Sequence, residues 1–194
     1  MRRLASELGV TATAIYYHVP DKETLLGLAA EVMISELERA AHGKVWTDRL
    51  LALLIEENRL LQRYPGLARY LLEHRDSLAA LRWSEVFVSM LLQAGLSPKA
   101  TTRAFGRITM LINPLFLLDD FAVADSGGSV MTPWAGSQDG QVQAFPGLAR
   151  VRRHMAKASF DAMFEQNARA LVATLDAELR AQQAQSARRR QTPR

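Results

Sequence analysis

The chain has 194 residues, of which 48% are hydrophobic, with no cysteine and a formal net charge of +4. That is enough apolar material for one substantial core, or for a small module attached to a larger domain, and the lack of cysteine excludes disulfides and thiolate metal sites and fits a cytoplasmic setting. The longest apolar runs, such as MLINPLFLL at 110–118, fall well short of the ~20 residues of a membrane helix, and no secretory leader pattern stands at the start, so no membrane partner is expected.

Charge is unevenly placed. Residues 150–194 hold ten Lys/Arg and four Asp/Glu, which leaves fourteen basic and sixteen acidic groups for residues 1–149. The positive excess therefore belongs to the C-terminal end, above all ARRRQTPR, and residues 185–194 are read as a solvated, disordered basic tail. Net charge alone does not argue for nucleic acid.

In chain order, the periodicity is helical almost throughout. RRLASEL at 2–8 places Leu4, Ala5 and Leu8 on one face, and Gly9 stands where a C-cap glycine belongs. Thr11 or Thr13 can cap a short helix ending near His18. Pro20 breaks the pattern, Asp21 is a good N-cap, and Lys22 to about Ala41 reads as a long amphipathic helix. A helix from Thr47 is closed by Pro65-Gly66, a shorter one covers roughly Leu67 to His74, and another runs from about Ser77 to Ala94. Ser97-Pro98 opens a long helix that Pro114 is expected to kink. Residues 125–147, rich in Gly, Ser and Pro, read as a long loop. Helix resumes near Leu148, and the last helix carries Phe160, Phe164, Leu171, Leu175 and Leu179 as an apolar stripe. The class is all-α.

Enzyme chemistry finds no footing. His18, His42, His74 and His154 are scattered without ligand spacing, so no metal site is expected. Glu56-Glu57 and Asp119-Asp120 are adjacent pairs, which diverge by about 100° on a helix and make poor acid/base partners. No phosphate-cradling glycine loop or nucleophile elbow appears.

Helix, glycine turn and short helix is the helix-turn-helix plan, in which the second helix enters the major groove. The continuous string RRLASELGVTATAIYYHVPDKETLL resembles the DNA-binding signature of the tetracycline-repressor (TetR) family. FPGLARV, followed by FDAMFEQNARALVATLDAEL, resembles the C-terminal domain of the tetracycline-repressor branch, so the similarity covers nearly the whole chain. Family members begin with a further helix that packs across this module, whereas this sequence opens at the second helix. Either a stretch encoded upstream covers the apolar side chains Leu4, Leu8 and Ile15, or the module is N-terminally truncated and these are partly uncovered.

The resemblance implies a division into a DNA-binding domain with its connecting helix over 1–42, an effector-binding and dimerisation domain over 43–184, and the tail. It implies a recognition helix from Thr11 to His18, with Ala12, Thr13 and Ala14 facing base edges. Tyr16, Tyr17 and His18 would partly contact phosphates and partly wedge the module together. Lys22 and the helix amides beside it would hold a phosphate, and Arg2 matches a position that reaches guanine. It further implies a homodimer seam that includes Phe160, Phe164, Leu171 and Leu175. Tyr70, His74, Trp83, Phe87, Arg103, Asn113 and Phe116 are the polar or aromatic members of the helices around an effector pocket. No cofactor is expected. The implied partners are a double-stranded DNA operator, a second copy of the chain, and a small-molecule effector, more plausibly apolar or aromatic than tetracycline. The function implied is ligand-released repression at a near-palindromic operator. The alternative is a DNA-inert helical dimer that binds a ligand or partner.

Overall fold

The computed structural model describes residues 1–116, 140–155, 157 and 159–191, and every regular element among them is a helix. Helix α1 (Arg2–Leu8) ends at Gly9, which takes left-handed dihedrals (φ 66, ψ 26) and turns its N–H back to the carbonyls of Ala5 and Ser6. Of the two threonines able to cap the next helix, Thr11 does so: its hydroxyl accepts from the Ala14 N–H at 3.1 Å and starts α2 (Ala12–His18). The Asp21 carboxylate accepts from the Thr24 N–H at 2.7 Å and starts α3 (Lys22–Ala40).

Two prolines act as helix openers. Pro65, expected to close the preceding helix α4 (Trp46–Arg63), instead occupies the first turn of α5 (Pro65–Glu73). Pro98 opens α7 (Pro98–Phe116) after α6 (Leu78–Gln93). A fixed φ and a missing N–H cost nothing in a first turn, where that N–H has no intrahelical partner. The helical backbone continues past Pro114 to Phe116. Most of the segment expected as a loop lies outside the described residues. Its end forms a 3-10 turn (Gly140–Ala144) and the start of α8 (Pro146–Met155), two residues earlier than the expected Leu148.

Helix α4 is the centre of the core. Leu50, Leu53, Leu54, Leu60 and Leu61 follow the 3.6-residue period and are buried, which fixes one apolar face. Around it pack α3, α6, α7 and α9. Ile34, Phe87, Leu91, Ile108, Ile112 and Leu175 meet its face with no measurable exposure. Two polar side chains of α4, Glu57 and Asn58, are buried with it, and the Trp83 indole Nε1 donates to the Glu57 Oε1.

Two expectations bear on α9 (Phe160–Gln191). Its apolar stripe faces inward. Phe164 and Leu175 are buried in the intrachain core, and Phe160 and Leu171 are half-buried against it. Within one chain these four residues help close the core, because without α9 the apolar faces of α4 and α7 would meet water. Asp161 clips its first turn to α4, accepting from Asn58 at 3.0 Å and Gln62 at 2.8 Å. The other concerns the basic end. Residues 185–191 continue α9 as helix rather than forming a tail, as their Ala, Gln and Arg composition favours and as no Pro or Gly forbids before Pro193.

Candidate nucleic-acid interface and ligand cavity

The α1–α2 module has a small interior and a broad polar exterior. Ala5, Ile15 and Val19 are its buried residues, and Leu4 is half-buried. Leu8, expected on the same face, is 61% exposed. With Ile15 turned inward, the helical period of α2 turns Thr13, Ala14, Tyr16, Tyr17 and His18 outward, while Ala12 is half-buried. Tyr17 is 86% exposed and meets the His18 ring edge-on at 5.2 Å. An exposed aromatic hydroxyl beside an imidazole offers two hydrogen-bonding groups to a phosphate at little cost in side-chain freedom.

Arg2, Thr11 and Lys22 are exposed as well. The Thr11 hydroxyl has its lone pair committed to the cap, so it retains only its proton and second lone pair for a ligand. Lys22 is the first residue of α3, where unpaired backbone N–H groups favour an anion. Asp21 competes there: its hydrogen bond from the Thr24 backbone holds its carboxyl below the usual range.

The second feature is a cavity of about 250 Å³ between α5, α6 and α7. Leu71 and Leu72 form one wall, and Trp83 and Phe105 the other. The two aromatic rings stand 5.9 Å apart at 54°, and Phe87 backs Trp83 at 5.5 Å. Polar character comes from Arg75 and Asn113. Ser84 and Thr109 also line the cavity, but their hydroxyls donate to the carbonyls of Ala80 and Gly106. Behind Trp83, burial pushes the Glu57 carboxyl well above the ordinary carboxylate range, against the smaller opposing effect of the indole hydrogen bond. Its Oε2 is buried without a partner. Among the described residues no cluster of three potential ligands could hold a metal ion, and no helix is long and apolar enough to cross a membrane.

The residues expected to surround an effector therefore separate. Trp83 and Asn113 line the cavity, and Phe87 supports it from the core. Tyr70 and His74 stack on each other at 4.4 Å and face α3 instead: His74 Nε2 lies 3.2 Å from Glu23 Oε1, and the Tyr70 hydroxyl lies against Gly27. Arg103 lines a separate groove with Glu178 and Gln182 of α9. The Phe116 side chain lies outside the described residues. Sequence reasoning missed Leu71, Leu72, Arg75, Phe105 and Thr109, although a signal existed. Phe105, Thr109 and Asn113 recur every four residues and share one face of α7.

Together these features define an all-α protein whose helix-turn-helix module is joined by one long helix to a helical core. No family model matches the chain. An HTH-type transcriptional regulator of Saccharopolyspora erythraea is 35% identical over 69 residues, which is 35% of this chain and 29% of that relative. The chain thus matches less than a third of this curated relative's length. Over the whole fold, the chain is similar to a possible TetR family transcriptional regulator of Streptomyces coelicolor A3(2), with a TM-score of 0.67, 25% identity, and coverage of 91% of this chain and 88% of that one. It also superposes on the Streptomyces coelicolor TetR family protein ActR in complex with actinorhodin, at a TM-score of 0.62, 19% identity and 92% and 87% coverage. A TetR variant from Acinetobacter baumannii AYE in complex with minocycline gives 0.57, 21%, 91% and 84%. The chain thus shares the fold of TetR family transcriptional regulators over about nine-tenths of its length.

Proposed function

We propose that this regulator is a dimeric repressor that reads a near-palindromic operator with α2 and leaves it when a small molecule fills the cavity between α5, α6 and α7. One observation carries the reading. Helix α5 contributes the cavity wall through Leu71 and Leu72 and, one residue before and two after, grips the start of α3 through Tyr70 and His74. Because α3 follows the recognition helix directly, a displacement of α5 by a ligand has a short mechanical route to the DNA-reading surface. A ligand that fits only one of two α5 positions biases the equilibrium between them, which is the requirement for allosteric release.

Two recognition helices must reach successive major grooves, roughly 34 Å apart along the duplex, so the repressor acts as a dimer. With the inward stripe of α9 consumed by the core, the seam falls to outward faces, where Met110 of α7 and Met163 of α9 are exposed. The small side chains at Ala12, Thr13 and Ala14 favour thymine-methyl contacts and one hydroxyl bond over bidentate readout.

The test is selection of bound duplexes from a random DNA pool, followed by titration of ligands against the selected operator. Wild type should enrich a two-fold symmetric sequence. His74→Ala should keep operator affinity and blunt ligand-induced release. Enrichment of no sequence overturns the repressor reading, and undiminished release by His74→Ala overturns the route through α5.

A further inference from the structure

We propose that the cavity between α5, α6 and α7 takes a small planar aromatic acid, with its rings along Trp83 and Phe105 and its anionic group at Arg75. The inference rests on the effector reading above and supplies the chemical class of that effector.

Charge selects the acid. Among the described residues, Arg75 is the one formally charged group lining the cavity. It is exposed at the C-terminal end of α5, and its Nε donates to the Leu72 carbonyl at 3.1 Å. That bond holds the side chain against the end of α5 and leaves the two terminal guanidinium nitrogens without an acidic partner among the described residues. A planar fork held in place beside an apolar wall is suited to a carboxylate, which it can meet with two parallel hydrogen bonds. A cationic ligand would face the same fork with like charge. The Asn113 amide on α7 makes no hydrogen bond among the described residues, so it can complete the coordination of the acid group.

Shape selects the ring. Trp83 is pinned from behind, since its indole N–H is committed to Glu57 and its ring is backed by Phe87. The aromatic wall is thereby oriented before any ligand arrives, which lowers the entropy cost of binding. Its ring and that of Phe105 are tilted to each other, so a flat guest can present its face to one and its edge to the other. A cavity of about 250 Å³ lies below the usual span for drug-sized guests, which confines the guest to a small ring system. Burial pushes the Glu57 carboxyl well above the ordinary carboxylate range, which disfavours a negative charge behind the indole.

The experiment is calorimetric titration of the full chain with three isosteres: naphthalene carboxylate, the neutral naphthalene carboxamide, and the aminomethylnaphthalene cation. The carboxylate should bind about tenfold tighter than the amide, the difference that ~1.4 kcal/mol supplies, and the cation should not bind. Arg75→Gln should equalise carboxylate and amide, and Trp83→Leu should weaken both. Circular dichroism melts of the variants separate loss of binding from loss of fold. Equal binding of acid and amide by wild type, an acid preference that survives Arg75→Gln, or no binding of the carboxylate overturns the inference. Duplex selection on the same preparation keeps the two readings apart. Enrichment of an operator with no acid preference fells this inference alone, whereas acid preference without any operator fells the repressor reading.

Discussion

The α1–α2 module and the α3–α9 core solve different problems with the same kind of helix. The module buries little beyond Ala5, Ile15 and Val19, and is shaped by caps and a glycine turn. The core buries a cluster contributed by α3, α4, α5, α6, α7 and α9. Under the proposed function, a surface for DNA is served by local geometry with side chains left free, whereas a cavity for a ligand needs walls from distant parts of the chain. The two regions differ in kind: one is built from contacts close in sequence, the other from walls supplied by distant helices.

The contrast breaks most plainly at matched apolar residues. Phe87→Ala removes a fully buried ring and should cost about 3–5 kcal/mol of global stability in urea unfolding. Ile15→Ala should leave the main unfolding transition near wild type and abolish DNA binding, because it loosens only the small module. A common shift of the main transition by both variants would show that the two regions unfold as one unit.

At the exposed end, Tyr17→Ala should weaken operator affinity by about 1.5 kcal/mol, the worth of one hydrogen bond to a charged group, or roughly tenfold in Kd. Its melting curve should be unchanged, since the ring is almost wholly solvated. Gel-shift titration and thermal denaturation together check both halves of that expectation.

Legibility followed the same divide. The glycine turn, the Thr11 and Asp21 caps and the outward α2 residues were readable because each depends on neighbours within four positions. The cavity was only half readable. Trp83 and Asn113 were named, but Leu71, Leu72 and Arg75 join them only through packing of α5 beside α6 and α7, which no local spacing encodes. The stripe of α9 shows the limit most sharply. Its period revealed that Phe164 and Leu175 are buried, yet the pattern is the same whether the covering surface belongs to the same chain or to another.

Glu57 sharpens the comparison with a pH signature that only a buried site can have. Folding raises its affinity for a proton, so the folded chain keeps the proton that the unfolded chain releases in the ordinary carboxylate range. Its contribution is favourable to folding below that range and is lost as pH rises toward the raised folded value. Urea midpoints measured from about pH 4 to about pH 8 should therefore fall with pH in wild type more than in Glu57→Gln. Equal slopes would show that Glu57 does not carry the difference.

The turn at Gly9 has one consequence that concerns handedness rather than packing. Its φ is 66°, yet a Cβ built there meets nothing within 4 Å. The site therefore rejects an L side chain on chirality while leaving room for one. L-alanine at this position should cost ~1 kcal/mol. D-alanine, introduced by chemical synthesis and ligation, is at home in left-handed dihedrals and should stabilise the module by a few tenths of a kcal/mol by narrowing its unfolded ensemble. Thermal melts of the two stereoisomers, identical in composition and opposite in effect, would read the mirror symmetry of this single turn.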